Sequence, residues 1–328
     1  VSAAPRRIRR GGRNPGHGAR ILQRAKTRKN DEFYTLEIDI KKELRHYRDV
    51  LRGKTIHCNC DHPGKSAFAK LLWRNFDRLG LERLIATHYL PPAGLFEPSA
   101  KPWKLDYRRG FPKGRIRDHV TKLAGDGDFG SWEVKELTRQ ADIVITNPPF
   151  SRFRDFVRTM VECNVDFLAI GDLTAMGGKY VFDLLKQDRI RFGYKIGGGM
   201  QFKIPARYRS LYPKAENGLV FLGSARWYTT LPTPGKKVIE PTVSFADHDD
   251  WATYDGTDII NIDWKKDIPK DYDGVMGVPV SYFEVHDPEK FEIVGQIGDD
   301  PDHPLDSRFT PVIDGNLLFY RFLIRRKR

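Results

Sequence analysis

The chain has 328 residues, 40% of them hydrophobic and 12% aromatic, with 56 Lys or Arg against 43 Asp or Glu and a formal net charge of +13. That composition can bury a large core in one large domain or two; no run approaches the ~20 apolar residues of a membrane span, and no apolar stretch follows the basic start as a secretory signal requires. Three cysteines in a chain this long fit a reducing compartment, so the expected class is a soluble intracellular protein.

The charge is concentrated at the ends. Residues 1–30 hold ten basic side chains and no acid, residues 321–328 hold five and no acid, and the body between is close to neutral. Such ends predict a polyanionic partner, with nucleic acid ahead of an anionic membrane surface. Residues 1–25, dominated by Gly, Pro and Arg, read as a disordered basic arm.

From Leu36 to Leu51 the apolar residues Ile40, Leu44, Tyr47 and Leu51 recur at helical spacing. Lys54–Cys60 predicts a strand, Lys65–Leu79 a helix ended by Gly80, and Arg83–Tyr89 a second strand. Leu105–Arg108 and Arg115–Arg117 suggest a small hairpin, and Ser131 can cap the next helix. Asp142–Thr146 is a β-branched run typical of a strand buried on both faces of a parallel sheet. Ser151–Glu162 predicts a capped helix with Phe153, Phe156, Val157 and Met160 inward. Strand Phe167–Ile170, helix Lys179–Lys186 and strand Ile190–Tyr194 complete an alternation that implies an open α/β sheet with helices on both faces. After Lys195, glycine clusters and short β-like runs replace the alternation, so a second region, residues 196–328, is expected to follow residues 26–195.

The chemistry concentrates in Asp142–Phe150, DIVITNPPF. Ligands of open α/β sheets bind beyond the carboxyl ends of strands, where Asn147 falls. Pro148 and Pro149 have no N–H to donate and hold the chain extended, leaving the Pro148 carbonyl as an acceptor beside the Asn147 side-chain carbonyl. Two acceptors converging on one point suit a planar amino group: drawing on both its hydrogens concentrates a lone pair otherwise delocalised into a ring. Phe150 offers a face on which a base can stack.

Ala124–Gly130, AGDGDFG, brings glycines for close backbone approach, an acid to accept from an amine and an aromatic to cover a ring. In Ile56–Gly64, IHCNCDHPG, a strand would put Cys58 and Cys60 on one face and His57 on the other. Cys-x-Cys is not structural zinc spacing, so no metal is expected. Downstream, Lys203, Arg207 and Arg209 lie among Phe202, Tyr208 and Tyr212. They form either a phosphate- and base-reading segment or a solvated loop with buried tyrosines.

The NPPF tetrapeptide resembles the catalytic motif of S-adenosylmethionine-dependent N6-adenine methyltransferases. DEFYT, CNCD-P, LGL-RLIA, GDGDF, D-IVITNPPFS and the stretch DIPKDYDGVMGVPVSYFEVHDPEKFEI together resemble the EcoRI-type adenine-specific DNA methyltransferases, over roughly residue 26 to the carboxyl terminus. The resemblance implies a Rossmann-like class I methyltransferase sheet at 26–195 and a target-recognition region with a basic tail at 196–328. It implies catalysis by Asn147, Pro148, Pro149 and Phe150 on an adenine rotated out of duplex DNA. S-adenosylmethionine would be held by Phe33, Tyr34, Thr35, Cys60, Asp61, Pro63, Asp126, Asp128, Phe129 and Asn147, and DNA by Lys203, Arg207, Tyr208, Arg209 and Tyr212. The chain departs from the family pattern after the first strand, where glycine is scarce. It departs again after the second, where Thr87, His88 and Tyr89 replace the acid that commonly binds ribose. A cytoplasmic monomer is expected, with double-stranded DNA as partner and any cognate restriction endonuclease reading the same site without a stable complex. An RNA N6-adenine methyltransferase and a catalytically silent DNA-binding protein are the alternatives.

Overall fold

In the computed structural model the described residues are 33–91, 101–195, 197–204, 217–233, 238–297, 311–318 and 320–327, and they fall into two compact units that meet in sequence between Gly235 and Lys236. Arg207, Tyr208, Arg209 and Tyr212 lie outside the described residues, as does the basic arm. Among the described residues no helix is long and apolar enough to cross a membrane.

In chain order the strands of the first unit are β1 (Tyr34–Thr35), β2 (Thr55–Cys58), β3 (Arg83–Thr87), β4 (Trp103–Arg108), β5 (Val120–Lys122), β6 (Ile143–Thr146), β7 (Asp166–Asp172), β8 (Arg191–Phe192), β9 (Met200–Lys203), β10 (Leu219–Leu222) and β11 (Ala225–Thr229). Eight form one sheet in the order β5-β4-β3-β2-β6-β7-β11-β8. Its centre, β3-β2-β6-β7, is parallel, while β4, β5 and β11 pair antiparallel with their neighbours. This mixed sheet agrees with the expected class I methyltransferase architecture. β1, β9 and β10 form a separate three-stranded antiparallel sheet.

The helices are α1 (Glu37–Leu44), α2 (Arg48–Leu51), α3 (Ala67–Leu79), α4 (Trp132–Arg139), α5 (Phe153–Cys163) and α6 (Lys179–Lys186). Strand alternation sorts the core between two faces. Ile56, Cys58, Ile143, Ile145, Leu168, Ile170 and Trp227 share one buried cluster with Ile40 and Leu44 of α1 and Phe68, Leu72 and Phe76 of α3. On the opposite face His57 bonds Thr138 of α4, Phe167 meets Phe156 of α5 at 5.6 Å and Tyr228 meets Phe153 at 4.8 Å. Each fully buried side chain of this size contributes about 1.5–3 kcal/mol. Ser66 caps α3 by accepting from the Phe68 N–H, and Gly80 ends it at φ 67°, a left-handed turn that lacks a Cβ clash.

Four sequence expectations are corrected. The Leu36–Leu51 helix is broken at Arg45–Tyr47 into α1 and α2. Leu105 pairs with Val120, not with Arg115–Arg117, because Ile116–His119 winds into a 3₁₀ turn in which the Asp118 carboxylate accepts from the Arg115 N–H. Ser151 lies in a 3₁₀ turn, Phe150–Arg152, and Arg152 is the residue at the start of α5. The change of pattern after Lys195 does not end the compact unit, which runs on through β9, β10 and β11.

The second unit carries a four-stranded sheet of β12 (Ile260–Asn261), β13 (Met276–Pro279), β17 (Arg321–Arg326) and β14 (Phe291–Ile297), in that order. β15 (Val312–Ile313) and β16 (Asn316–Leu317) form a hairpin beside it in sequence. The expected basic tail is therefore an inner strand: β17 lies between β13 and β14 with Phe322 and Ile324 buried. Its charges face acids, Arg321 toward Asp263, Arg325 toward Glu292 and Arg326 toward Asp273.

Candidate active site

The chain leaves β2 for β3 on one side, while β6 lies on the other, so the carboxyl ends of β2 and β6 flank a topological switch point. Residues Asn59–Asp61 follow β2 and Asn147 follows β6. A hydroxyl network ties these ends together. Thr146 Oγ1 donates to Asp61 Oδ2 at 2.6 Å and accepts from the Cys60 N–H at 3.2 Å, the Asp61 N–H donates to the Thr87 carbonyl, and Ser66 donates to Asp61 Oδ1. Burial pushes the Asp61 carboxyl up to about 6, with the two hydroxyl donors pulling the other way. Both Asp61 oxygens are thus engaged within the protein. Burial also raises the Cys60 thiol, so it stays protonated, and Pro63 is buried in the turn that leads to Ser66.

Asn147 is half-buried, and its Nδ2 donates to the Phe33 carbonyl oxygen at 2.5 Å. Only the amide nitrogen can donate, so this bond fixes which way the side chain is turned. Among the described residues Asn147 Oδ1 is buried and has no hydrogen-bond partner, and the same holds for Thr35 Oγ1 and Asn59 Nδ2. Buried polar atoms left unpaired are costly in a folded chain and mark places where a ligand completes the set. All three belong to the segments that meet here: β1, the turn after β2 and the turn after β6.

Phe150 is turned inward, 4% exposed, its ring stacked on Phe33 at 5.5 Å and edge-on to Phe202 at 5.8 Å. One face of the Phe150 ring is therefore packed on Phe33. β1 explains the meeting of Phe33 and Phe202: Thr35 pairs with Phe202 and Tyr34 with Lys203. Thr35 turns inward, but alternation sends Tyr34 to the outer face, half exposed, away from Thr35. Glu43 steadies the chain entering β9, accepting from the Tyr194 N–H at 2.6 Å and the Lys195 N–H at 3.0 Å, and its burial raises its pKa.

In the loop Ala124–Gly130, Gly127 has φ +75°, and an added Cβ would collide with the His88 carbonyl. Asp126 shapes the loop by accepting from the Asp128 N–H at 3.0 Å, while its own carbonyl accepts from the Leu90 N–H. Asp128 accepts from the Gly130 N–H and forms an ion pair with Arg152, whose guanidinium lies 4.4 Å above the Phe129 ring. An acid beside an aromatic face is the pair expected there, and Arg152 engages both. Sequence reading missed Arg152, although it stands two residues beyond NPPF; no local pattern marks a contact made with a loop 24 residues away.

The structure thus gathers Phe33, Thr35, Cys60, Asp61, Asn147 and Phe150 around the ends of β2 and β6, with Asp126, Asp128 and Phe129 on the adjoining loop. Where an acid was missing after β3, His88 faces His62 with ring centroids 4.4 Å apart, and burial holds both imidazoles below their usual pKa, His62 at about 4.

Comparison with known proteins gives one consistent result. The family described as adenine-specific methyltransferase EcoRI matches residues 21–325. The chain is 34% identical over 322 residues to the type II methyltransferase M.EcoRI of Escherichia coli, covering 94% of this chain and 97% of that protein. It is 33% identical over 284 residues to the type II methyltransferase M.MgeORF184P of Mycoplasma genitalium, covering 83% and 85%. To M.MpnI of Mycoplasma pneumoniae, also a type II methyltransferase, it is 32% identical over 282 residues, covering 83% and 84%. No solved structure matches the chain.

Proposed function

Because the chain belongs to the adenine-specific EcoRI methyltransferase family, we propose that it moves a methyl group from S-adenosylmethionine to the N6 amine of an adenine rotated out of duplex DNA, with Asn147 holding that amine. Site-specific adenine methylation of DNA is the activity that membership carries. The single observation supporting the residue assignment is the Asn147 amide: its nitrogen is tied to Phe33 and its oxygen is buried, unpaired and at the carboxyl end of β6.

The residues present fit the cofactor. Among the described residues Thr35 Oγ1 and Asn59 Nδ2 are buried polar atoms without partners beside the same strand ends, and Asp128 with Phe129 would present an acid and an aromatic to an adenine ring once Arg152, which engages both, is displaced. Bound S-adenosylmethionine would supply a methyl group already activated by a positively charged sulfur, so no metal ion is needed to polarise a leaving group. The protein's contribution is orientation.

Asn147 Oδ1 accepts from the target amine and, with the Pro148 carbonyl, draws its nitrogen toward tetrahedral geometry. Being a neutral amide oxygen, it orients the proton without removing it, and solvent accepts the proton after transfer. Pro149 keeps the turn extended between these acceptors and the 3₁₀ turn. Phe150 acts as a brace: its ring locks the motif onto Phe33, the residue whose carbonyl aims Asn147. The Thr146–Asp61–Ser66 network keeps the ends of β2 and β6 in register. Recognition of the sequence around the adenine is assigned to residues 196–328, Lys203, Arg207, Tyr208, Arg209 and Tyr212 among them.

The test offers the purified chain tritium-labelled S-adenosylmethionine with duplex DNA and, in parallel, RNA. Label is expected in N6-methyladenine of DNA and absent with Asn147→Ala, which still binds cofactor by calorimetry through the other residues of that site. Label in RNA alone, or in neither, would overturn the proposal.

A further inference from the structure

The small sheet β1-β9-β10 has an inner and an outer face. Thr35, Phe202 and Val220 are paired across it and buried, and Phe202 meets Phe33 at 5.9 Å and Phe150 at 5.8 Å. Alternation sends Tyr34, Gln201, Lys203 and Phe221 to the other side, with Tyr34 opposite Lys203 and Phe221 opposite Gln201. All four are exposed, Tyr34 at 50% and Phe221 at 55%. Two large aromatic side chains thus share one exposed patch with a lysine and an amide.

The register adds a second observation. Because β9 runs antiparallel to both neighbours, the amino end of β1, the carboxyl end of β9 and the amino end of β10 lie at one edge of the sheet. The segments that join the sheet there are the two basic ones: residues 1–32, with ten basic and two acidic side chains, and residues 205–216, with Arg207, Arg209 and Lys214 against Glu216. The two basic segments are thus continuous in sequence with the same end of the sheet, whose buried face lies against Phe33 and Phe150.

We propose that the outer face of this sheet, Tyr34, Gln201, Lys203 and Phe221, is the surface on which duplex DNA docks beside the target adenine. This rests on the reading of DNA as substrate, and it moves Tyr34 from the cofactor side to the DNA side. Lys203 meets a phosphate, Gln201 offers a paired donor and acceptor to a base edge, and the two rings offer flat faces to bases exposed where one has left the stack.

The experiment measures binding of the full chain to a fluorescent duplex bearing a site that the wild type methylates, across a salt series, with cofactor affinity measured separately. Phe221→Ala should weaken DNA binding about tenfold, and Phe221→Tyr should restore it. Lys203→Ala should lower the slope of log K against log salt by about one. Cofactor affinity and melting temperature should not move, and Phe111→Ala, an exposed ring on the β4–β5 connection, should match the wild type throughout. Unchanged affinity in Phe221→Ala together with an unchanged slope in Lys203→Ala would overturn the docking surface while leaving adenine methylation intact. A wild type that neither binds nor methylates duplex DNA would instead overturn the substrate reading.

Discussion

Asn147→Asp separates two properties that Asn147→Ala removes together: possession of an acceptor oxygen and its orientation. In the native side chain Nδ2 donates to the Phe33 carbonyl at 2.5 Å and leaves Oδ1 free of partners. An ionised aspartate would set one oxygen against that carbonyl oxygen, with no donor between them. A buried polar group deprived of its partner costs about 1–3 kcal/mol, and more when charged, which corresponds to roughly 5- to 150-fold in rate or more. A protonated aspartate escapes the conflict, because its O–H donates to Phe33 while the other oxygen still accepts. The carboxyl pKa should therefore lie above the usual ~3.9. The active form is the protonated one, present below that raised pKa and lost as pH rises through it, so Asn147→Asp should retain methyl transfer only on the acid side. The wild-type amide does not titrate and should lack this limb, while Asn147→Ala should fall at least about 10²–10³-fold at every pH. Single-turnover transfer of labelled methyl between about pH 5 and 9 reads all three. Asn147→Asp matching the wild type at pH 8, or Asn147→Ala within tenfold of it, would refute the argument.

Asp128→Ala should weaken cofactor binding about tenfold or more by calorimetry, as loss of a charged hydrogen-bond acceptor does; unchanged affinity would remove Asp128 from the site and leave it a partner of Arg152 alone. His57, fully buried between Thr138 and Thr87, is held neutral by burial, at about 3. Its depressed pKa means its contribution is full above the unfolded value of ~6.5 and is lost as pH falls toward 3, at a cost of about 2 kcal/mol by pH 5. His57→Gln should remove that share of the acid destabilisation in urea unfolding, and an unaltered pH slope would show that the imidazole is not buried neutral.

The parallel centre of the sheet was readable because its strands carry a double-sided apolar signal. Ile143, Val144 and Ile145 have no polar face to hide, and Phe153, Phe156, Val157 and Met160 repeat at helical spacing on the element that follows. The edges were not readable. Val120–Lys122 is a strand with little apolar alternation, held by its pairing with β4, and that pairing is invisible until β4 is placed. Charge misdirected the reading of Arg321–Arg326, where Phe322 and Ile324 alternate with exposed or partly exposed residues as an inner strand requires. In the site the contiguous NPPF motif announced itself. The Thr146–Asp61 bond spans 85 residues and the Asn147–Phe33 bond 114, so the residues that aim the motif carry no local mark.

The amino-terminal arm is linked to the chemistry by a single peptide unit. Residues 1–32 carry ten of the basic side chains, and the next residue, Phe33, supplies the carbonyl that orients Asn147 and the ring that holds Phe150. Three of the five basic side chains at the carboxyl end, the β17 arginines, each face an acid, so the arm should carry much of the sequence-independent affinity for DNA. Two truncations separate these roles. Removing residues 1–25 should flatten the salt dependence of DNA binding and leave the choice of site and the single-turnover rate unchanged. Removing residues 1–35 also deletes the Phe33 carbonyl and β1, so it should abolish transfer even at DNA concentrations that saturate binding. Full single-turnover activity in the longer truncation would show that Asn147 is aimed without Phe33. An unchanged salt slope in the shorter one would show that the arm makes no phosphate contacts.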